Sequence, residues 1–290
     1  MESLEINPPT EQESNETPTI DWAVISAHCD EFFRENHTSD ETRAFANGLI
    51  EMYPNDAEAI TALADLVGFL DSQRELTELQ MVARMGVVSK ERAKEIKERK
   101  LQLFQALTQY QFLLTHFLVS RPQSEEYMQR FWTASERIAK NDHSLGEMGR
   151  LRDSVLSQAA IYQLFEELGK HPTLSHPKED AFYAVDLWTD DHHAIQVKGA
   201  PKNEQFAFVP SQDEVSFPGV RVEDGEKEIH YNDYITHERQ YMRTKLAGLE
   251  RLEGKKIEGY LVVIPKNKRN NVTGKPNADV VEIAKQKLGL

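Results

Sequence analysis

The texture of the chain changes once, near Gly169, and that change dictates the architecture. From about Ile20 to Leu168 glycine and proline are sparse, and apolar residues recur at three- and four-residue steps. Phe45, Leu49 and Met52 form one such series, and Leu101, Phe104, Leu107 and Tyr110 another. This is the spacing of amphipathic helices. Breaks are expected at Tyr53-Pro54-Asn55-Asp56 and at Ser120-Arg121-Pro122. Ser89 reads as an N-cap, with Arg92 rather than an acid three positions on, so the capping box is incomplete. Beyond Gly169 the segment HPTLSHPKED, with Pro172 and Pro177, reads as a loop. The short runs AFYAVDLW, AIQVKG, QFAFVP and GYLVVIP are β-branched or aromatic and read as strands. A helix is expected over about Tyr234–Leu252, and a short terminal helix from Ala278 to Leu290. From residue 151 the order is therefore helix, three strands, helix, strand: an α+β layout with helices packed on a small mixed sheet. Three parts are expected: an acidic, disordered tail over 1–19, a helical region over 20–150, and a second domain over 151–290.

The charge is as uneven as the texture. The net charge is −14, which argues against broad, charge-driven binding to nucleic acid. Residues 1–60, however, hold 14 Asp and Glu against two Lys and Arg, whereas residues 198–275 hold 12 against 14. The acidity sits at the front, and the C-terminal part carries local basic clusters. No run of 18 apolar residues occurs, so no membrane partner is expected. The first residues lack the basic start and apolar stretch of a secretory signal. The single cysteine, Cys29, allows neither an internal disulfide nor a thiolate cluster, and a reducing, cytoplasmic location is the simplest expectation.

The most informative stretch is AFYAVDLWTDDHHAIQVKG, residues 181–199. It reads as a hairpin whose polar turn, Thr189 to His193, separates two apolar runs. With the turn centred on Asp191, Trp188 faces Ala194 and Asp186 faces Gln196. Directly opposed residues have Cβ atoms about 4.5–5.5 Å apart. Alternation then places Gln196 and Lys198 on one face, and Ile195 and Val197 on the other with Val185 and Leu187. A carboxylate, an amide and an ammonium thus gather beside one another. The carboxylate and amide oxygens, with the Val197 carbonyl, are hard donors suited to Mg²⁺. Lys198 could act on an attacking water or on a phosphate.

Asp186, nine intervening residues, then Gln196-Val197-Lys198 resembles the PD-(D/E)xK nuclease superfamily, in the QxK form of Mrr-type restriction enzymes. The resemblance covers roughly Leu151 to Pro265. It implies a restriction-endonuclease-like αβββαβ core, hydrolysis of DNA phosphodiester bonds, and Mg²⁺ or Mn²⁺ as cofactor. Asp186, Gln196, Val197 and Lys198 would be its site. Val185 replaces the motif proline, and Gln196 replaces the usual second acid. A compensating carboxylate is therefore sought on the preceding helix. At about 100° per residue, Glu166 falls roughly 60° from Leu151 on the apolar side, whereas Glu167 faces away. Gln158 lies within the apolar stripe and needs a partner. Glu179 and Asp180 are weaker alternatives to Glu166.

Arg239, Arg243 and Lys245 on the later helix are expected either to meet DNA phosphates or to form a solvated face paired with Glu238 and Glu250. Lys266, Lys268 and Arg269 suggest a flexible phosphate-contacting loop, or simply a charged one. Asp191-His192-His193 resembles the DHH phosphoesterase signature, but it sits at a hairpin tip without that family's further aspartate motifs. The alternative to a nuclease is a non-catalytic interaction protein, in which a nuclease-like fold is a scaffold and the acidic helical region binds a protein partner. A homodimer is compatible with either reading.

Overall fold

Long runs of helix formers, free of proline and with no glycine besides Gly48, Gly68, Gly146 and Gly149, give five helices in succession: α1 (Ser39–Met52), α2 (Ala57–Arg84), α3 (Lys90–Val119), α4 (Glu125–Asn141) and α5 (Leu145–Glu167). The computed structural model describes residues 39–52, 56–84, 89–120, 124–141, 143–189, 192–200, 204–211, 221–222 and 229–288. The expected acidic tail and Cys29 lie outside these. Both expected breaks fall between helices, and Ser89 caps α3 by accepting a hydrogen bond from the Arg92 N–H at 3.2 Å. The helices bury a common core in which Leu66, Leu114, Phe131, Trp132 and Val155 are wholly enclosed. Gly68 leaves room on α2 for the Tyr110 ring of α3. A Cβ there would lie 2.4 Å from the ring of Tyr110.

Asp65, on α2, is set partly inside this helical packing, and burial pushes its carboxyl up from the ordinary 3.8 to about 6. The folded chain thus holds a proton that the unfolded chain has released between these two values. The stabilising contribution is full below about pH 4 and is lost as pH rises through about 6. Asp65→Asn should therefore stabilise the protein at pH 7.5 by about 1–2 kcal/mol, after discounting for the group's partial exposure. Urea titrations at pH 4.5 and 7.5 check this, and an advantage of equal size at both values would refute it.

The remainder is α+β. It comprises β1 (Thr173–Leu174), α6 (Pro177–Tyr183), β2 (Leu187–Trp188), β3 (Ala194–Ala200), β4 (Ala207–Pro210), a separate ribbon of β5 (Arg221–Val222) and β6 (Ile229–His230), α7 (Tyr231–Glu253), β7 (Gly259–Pro265) and α8 (Ala278–Leu288). The main sheet runs β1-β2-β3-β7-β4 and is mixed, since β3 and β7 are parallel and the other pairs antiparallel. One face, with Leu187, Ile195, Val197 and Val262, packs on the second half of α5 and on α8. The other, with Ala194, Leu261 and Val263, packs on Met242, Leu246 and Leu249 of α7.

Two expectations need correction. The run AFYAVDLW is not one strand: its first three residues close α6. Pro177 at the helix start and a capping box between His176 and Glu179 nucleate that helix inside the segment expected to be a loop. Ala184 then turns the chain through the left-handed region, φ 54°, before β2. The boundary expected at 150/151 falls within α5, which is continuous. Its Leu151 and Val155 belong to the helical core and its Ile161 and Phe165 to the sheet core.

Candidate functional site

The expected hairpin register holds for Trp188 with Ala194 and Leu187 with Ile195. It does not continue to Asp186 and Gln196: Val185 packs on the opposite face from Ile195 and Val197, against the expectation that it would join them. The Asp186 N–H donates to the Ile195 carbonyl at 2.8 Å. Because the chain leaves the sheet at Ala184, no main-chain carbonyl continues the ladder there. The Asp186 carboxylate takes that place, its Oδ2 accepting from the Val197 N–H at 2.7 Å. Its Oδ1 accepts from the Gln158 side-chain amide on α5. Gln158 Oε1 in turn accepts from the Thr115 hydroxyl on α3 at 2.9 Å. The polar residue in the apolar stripe of α5 has thus found its partners.

Gln196 and Lys198 share the face of β3 that α7 covers. Gln196 is 3% exposed, and its Oε1 has no hydrogen-bond partner among the described residues. Leaving such an acceptor unmatched costs about 1–3 kcal/mol, so the position favours a donor or a cation. Lys198 Nζ lies 3.1 Å from Glu238 Oε2 of α7, with Tyr234 close enough to interact electrostatically with both. Burial pulls the Lys198 ammonium down, but Asp186 and Glu238 together outweigh it and the net shift is upward. Burial raises the Asp186 carboxyl, against the opposing effects of the Val197 N–H, Lys198 and Gln158.

The second carboxylate of the site is Asp180 on α6. Burial and then the neighbouring Asp186 push it up to about 8, with Lys198 opposing. Glu179 is otherwise engaged, accepting from the His176 N–H at 3.2 Å and the Trp188 indole N–H at 3.0 Å. Glu166, the expected helper, is not brought to the site. It is exposed, two turns beyond Gln158 on α5, about 12 Å along the axis. It lines a separate cleft of about 810 Å³ with Tyr162, Gln163 and Lys275. It differs from Gln158 in both height and direction, since eight residues turn it about 80° around the axis, and α5 meets β3 further back, where Ser157 abuts Gly199.

On α7, Arg239 is half-buried, Arg243 is exposed, and Lys245 lies 5.3 Å from the ring centre of Tyr241. Neither expected acid pairs with them: Glu238 holds Lys198, and Glu250 accepts from the Ile257 N–H at 2.9 Å. The 266–269 segment is not a free phosphate loop. Lys266 contacts Asp153, Lys268 contacts Asp279, and Arg269 is buried with its Nη2 3.4 Å from Asp153. Asp191 lies outside the described residues. His193 packs edge-on against Tyr260 and lies 3.3 Å from Glu258, as part of the hairpin's flank.

Asp180, Glu238, Tyr234 and Thr115 are the functional candidates that sequence reasoning ranked low or passed over. Asp180 carried one usable signal, the His-Pro-x-Glu start that makes α6 a helix and sets Asp180 in its first turn. The others come from elements far along the chain and carried none. Among the described residues no three His, Cys, Asp or Glu side chains gather as a metal cluster, and no helix is long and apolar enough to cross a membrane. No family model, curated protein or solved structure matches the chain.

Proposed function

We propose that this protein is a metal-dependent nuclease that hydrolyses DNA phosphodiester bonds at the Asp186 site. The observation that supports the reading best is the Asp186 carboxylate, held by the Val197 N–H and the Gln158 amide and close enough to Lys198 and Asp180 to interact electrostatically with both. The neighbouring β3 residue Gln196 is buried, with no partner for its Oε1 among the described residues. The donor set fits a hard divalent cation. Asp186, Gln196 and the Val197 carbonyl would hold Mg²⁺ or Mn²⁺, with Asp180 in the place first assigned to Glu166. Such an ion supplies Lewis acidity at a phosphoryl oxygen. The protein's own contribution is electrostatic and positional. Asp186 is fixed by two donors, from Val197 and Gln158. Lys198, kept as an ammonium between Asp186 and Glu238, offers positive charge to a phosphate rather than accepting a proton from water. Arg243, with no ion-pair partner among the described residues, and Lys245 on the same helix would meet flanking phosphates, as would Arg239.

The rival reading, a degenerate scaffold, is favoured by the absence of a three-acid cluster among the described residues. Calorimetry separates the two. The nuclease reading expects saturable Mn²⁺ binding to the full chain that Asp186→Ala abolishes and Asp180→Asn weakens by about tenfold or more. No binding to the unaltered chain would remove it.

A further inference from the structure

The polar chain Thr115–Gln158–Asp186–Val197 runs from the helical half of the molecule into the site. Thr115 is fully enclosed and Gln158 is 5% exposed, so each polar atom here must be satisfied from within the protein. An amide can turn over and exchange its oxygen for its nitrogen. Turned, it would aim an oxygen at the Asp186 carboxylate and repel it. The Asp186 carboxylate, which can only accept, requires the NH₂ group to face it, and the Thr115 hydroxyl satisfies the Gln158 Oε1 left on the other side by donating to it at 2.9 Å. Asp186 then has one oxygen held by the amide and the other by the Val197 N–H. The same helix, α3, also packs against α6, which carries Asp180. A side chain of the helical half thus determines where a charged group of the site can stand.

We propose that Thr115 and Gln158 are positioning residues for Asp186, so that the helical half is a structural part of the site rather than an appended module. The proposal rests on the reading of Asp186 as the functional carboxylate, and it is tested by measurements that do not need activity. In the ¹⁵N-labelled full chain, Thr115→Val should speed hydrogen exchange of the Val197 amide by about tenfold, the equilibrium equivalent of loosening one hydrogen bond to a charged group. Thr115→Ser, which keeps the hydroxyl, should restore the original rate. An unchanged Val197 amide in Thr115→Val overturns the proposal, as does equal disturbance by both variants, since that would indicate packing rather than hydrogen bonding. Should Thr115→Val fail to fold, the Gln158 side-chain amide protons of the unaltered chain decide the matter. They should exchange slowly and shift in Asp186→Asn, and indifference to that substitution overturns the proposal. Mn²⁺ affinity is read alongside, with Gln158→Leu expected to weaken it ten- to a hundredfold, as loss of an outer support of a metal ligand does. A chain that shows the Thr115 effect on Val197 but binds no Mn²⁺ supports the positioning role while removing the nuclease reading.

Discussion

Asp186→Ala should lower Mg²⁺- or Mn²⁺-dependent cleavage of plasmid and branched DNA by at least about a thousandfold, the scale of losing several kcal/mol of charge stabilisation in the transition state. Lys198→Ala should fall about a hundred- to a thousandfold, as expected when one preorganised positive group facing the developing charge is removed. The two act on the fold through different contacts. Asp186→Ala leaves the Val197 N–H and the Gln158 amide without their acceptor, costing about 1–3 kcal/mol each where no other partner replaces it. It also relieves the fold of a carboxyl whose charge burial disfavours, which offsets part of that loss. Lys198→Ala leaves the largely buried Glu238 of α7 without the ammonium that faces it and should also lower the melting temperature. Cleavage that is equal in all three proteins, each shown folded by circular dichroism, would sink the assignment.

The largest effect on stability is expected away from the site. Trp132→Ala should destabilise the protein by about 3–5 kcal/mol, measured by urea or thermal unfolding. The Trp132 side chain is fully enclosed and meets Phe131 edge-on at 5.0 Å between ring centres. Its indole N–H donates to the Val272 carbonyl at 2.8 Å, and the Arg152 guanidinium lies 5.0 Å from its ring centre. It therefore joins α4 to the segment that follows β7, across 140 residues of chain. Trp132→Phe keeps much of the apolar volume but loses the N–H and should cost markedly less. A loss below about 1 kcal/mol for the alanine variant would show that the core closes over the space, contrary to the close packing argued here.

What could be read from the sequence was local. The helices before Gly169 follow from three- and four-residue spacing, and the break positions from Pro54 and Pro122. The hairpin register follows from where a five-residue polar turn must fold, and it brings Asp186 to the edge of β3, where it meets Ile195 and Val197. α6 was missed because apolar Ala181, Phe182 and Tyr183 look like the start of a strand, whereas a cap set five residues earlier decides their conformation. Glu166 was misplaced for a different reason. A helical wheel shows which residues share a stripe, not what packs on it or at what height: α5 meets β3 at Ser157, and Glu166 lies two turns later beside Leu118 and Lys275. Glu238 and Thr115 belong to contacts spanning 40 and 43 residues, to Lys198 and Gln158 respectively. Nothing in their own neighbourhoods distinguishes them from any other helix-surface acid or interior threonine.

The parallel pairing of β3 with β7 has a consequence for how the chain is made. Ala194 pairs with Gly259, 65 residues later, and closing a loop of that length carries an entropic cost of about 4 kcal/mol before any packing offsets it. A nascent chain that has emerged only as far as α7 already contains Asp186, Gln196 and Lys198, but β3 still presents an open edge on the side of the Ala194 N–H, which β7 later covers. Most contacts among α1 to α5 are with one another, so these helices are free to begin packing ahead of it, although Trp132 and the second half of α5 gain their last partners later. Completion of the sheet around the acid-bearing hairpin is thus deferred until β7 is available, and the open edge of β3 is the surface on which misfolding by strand addition would begin.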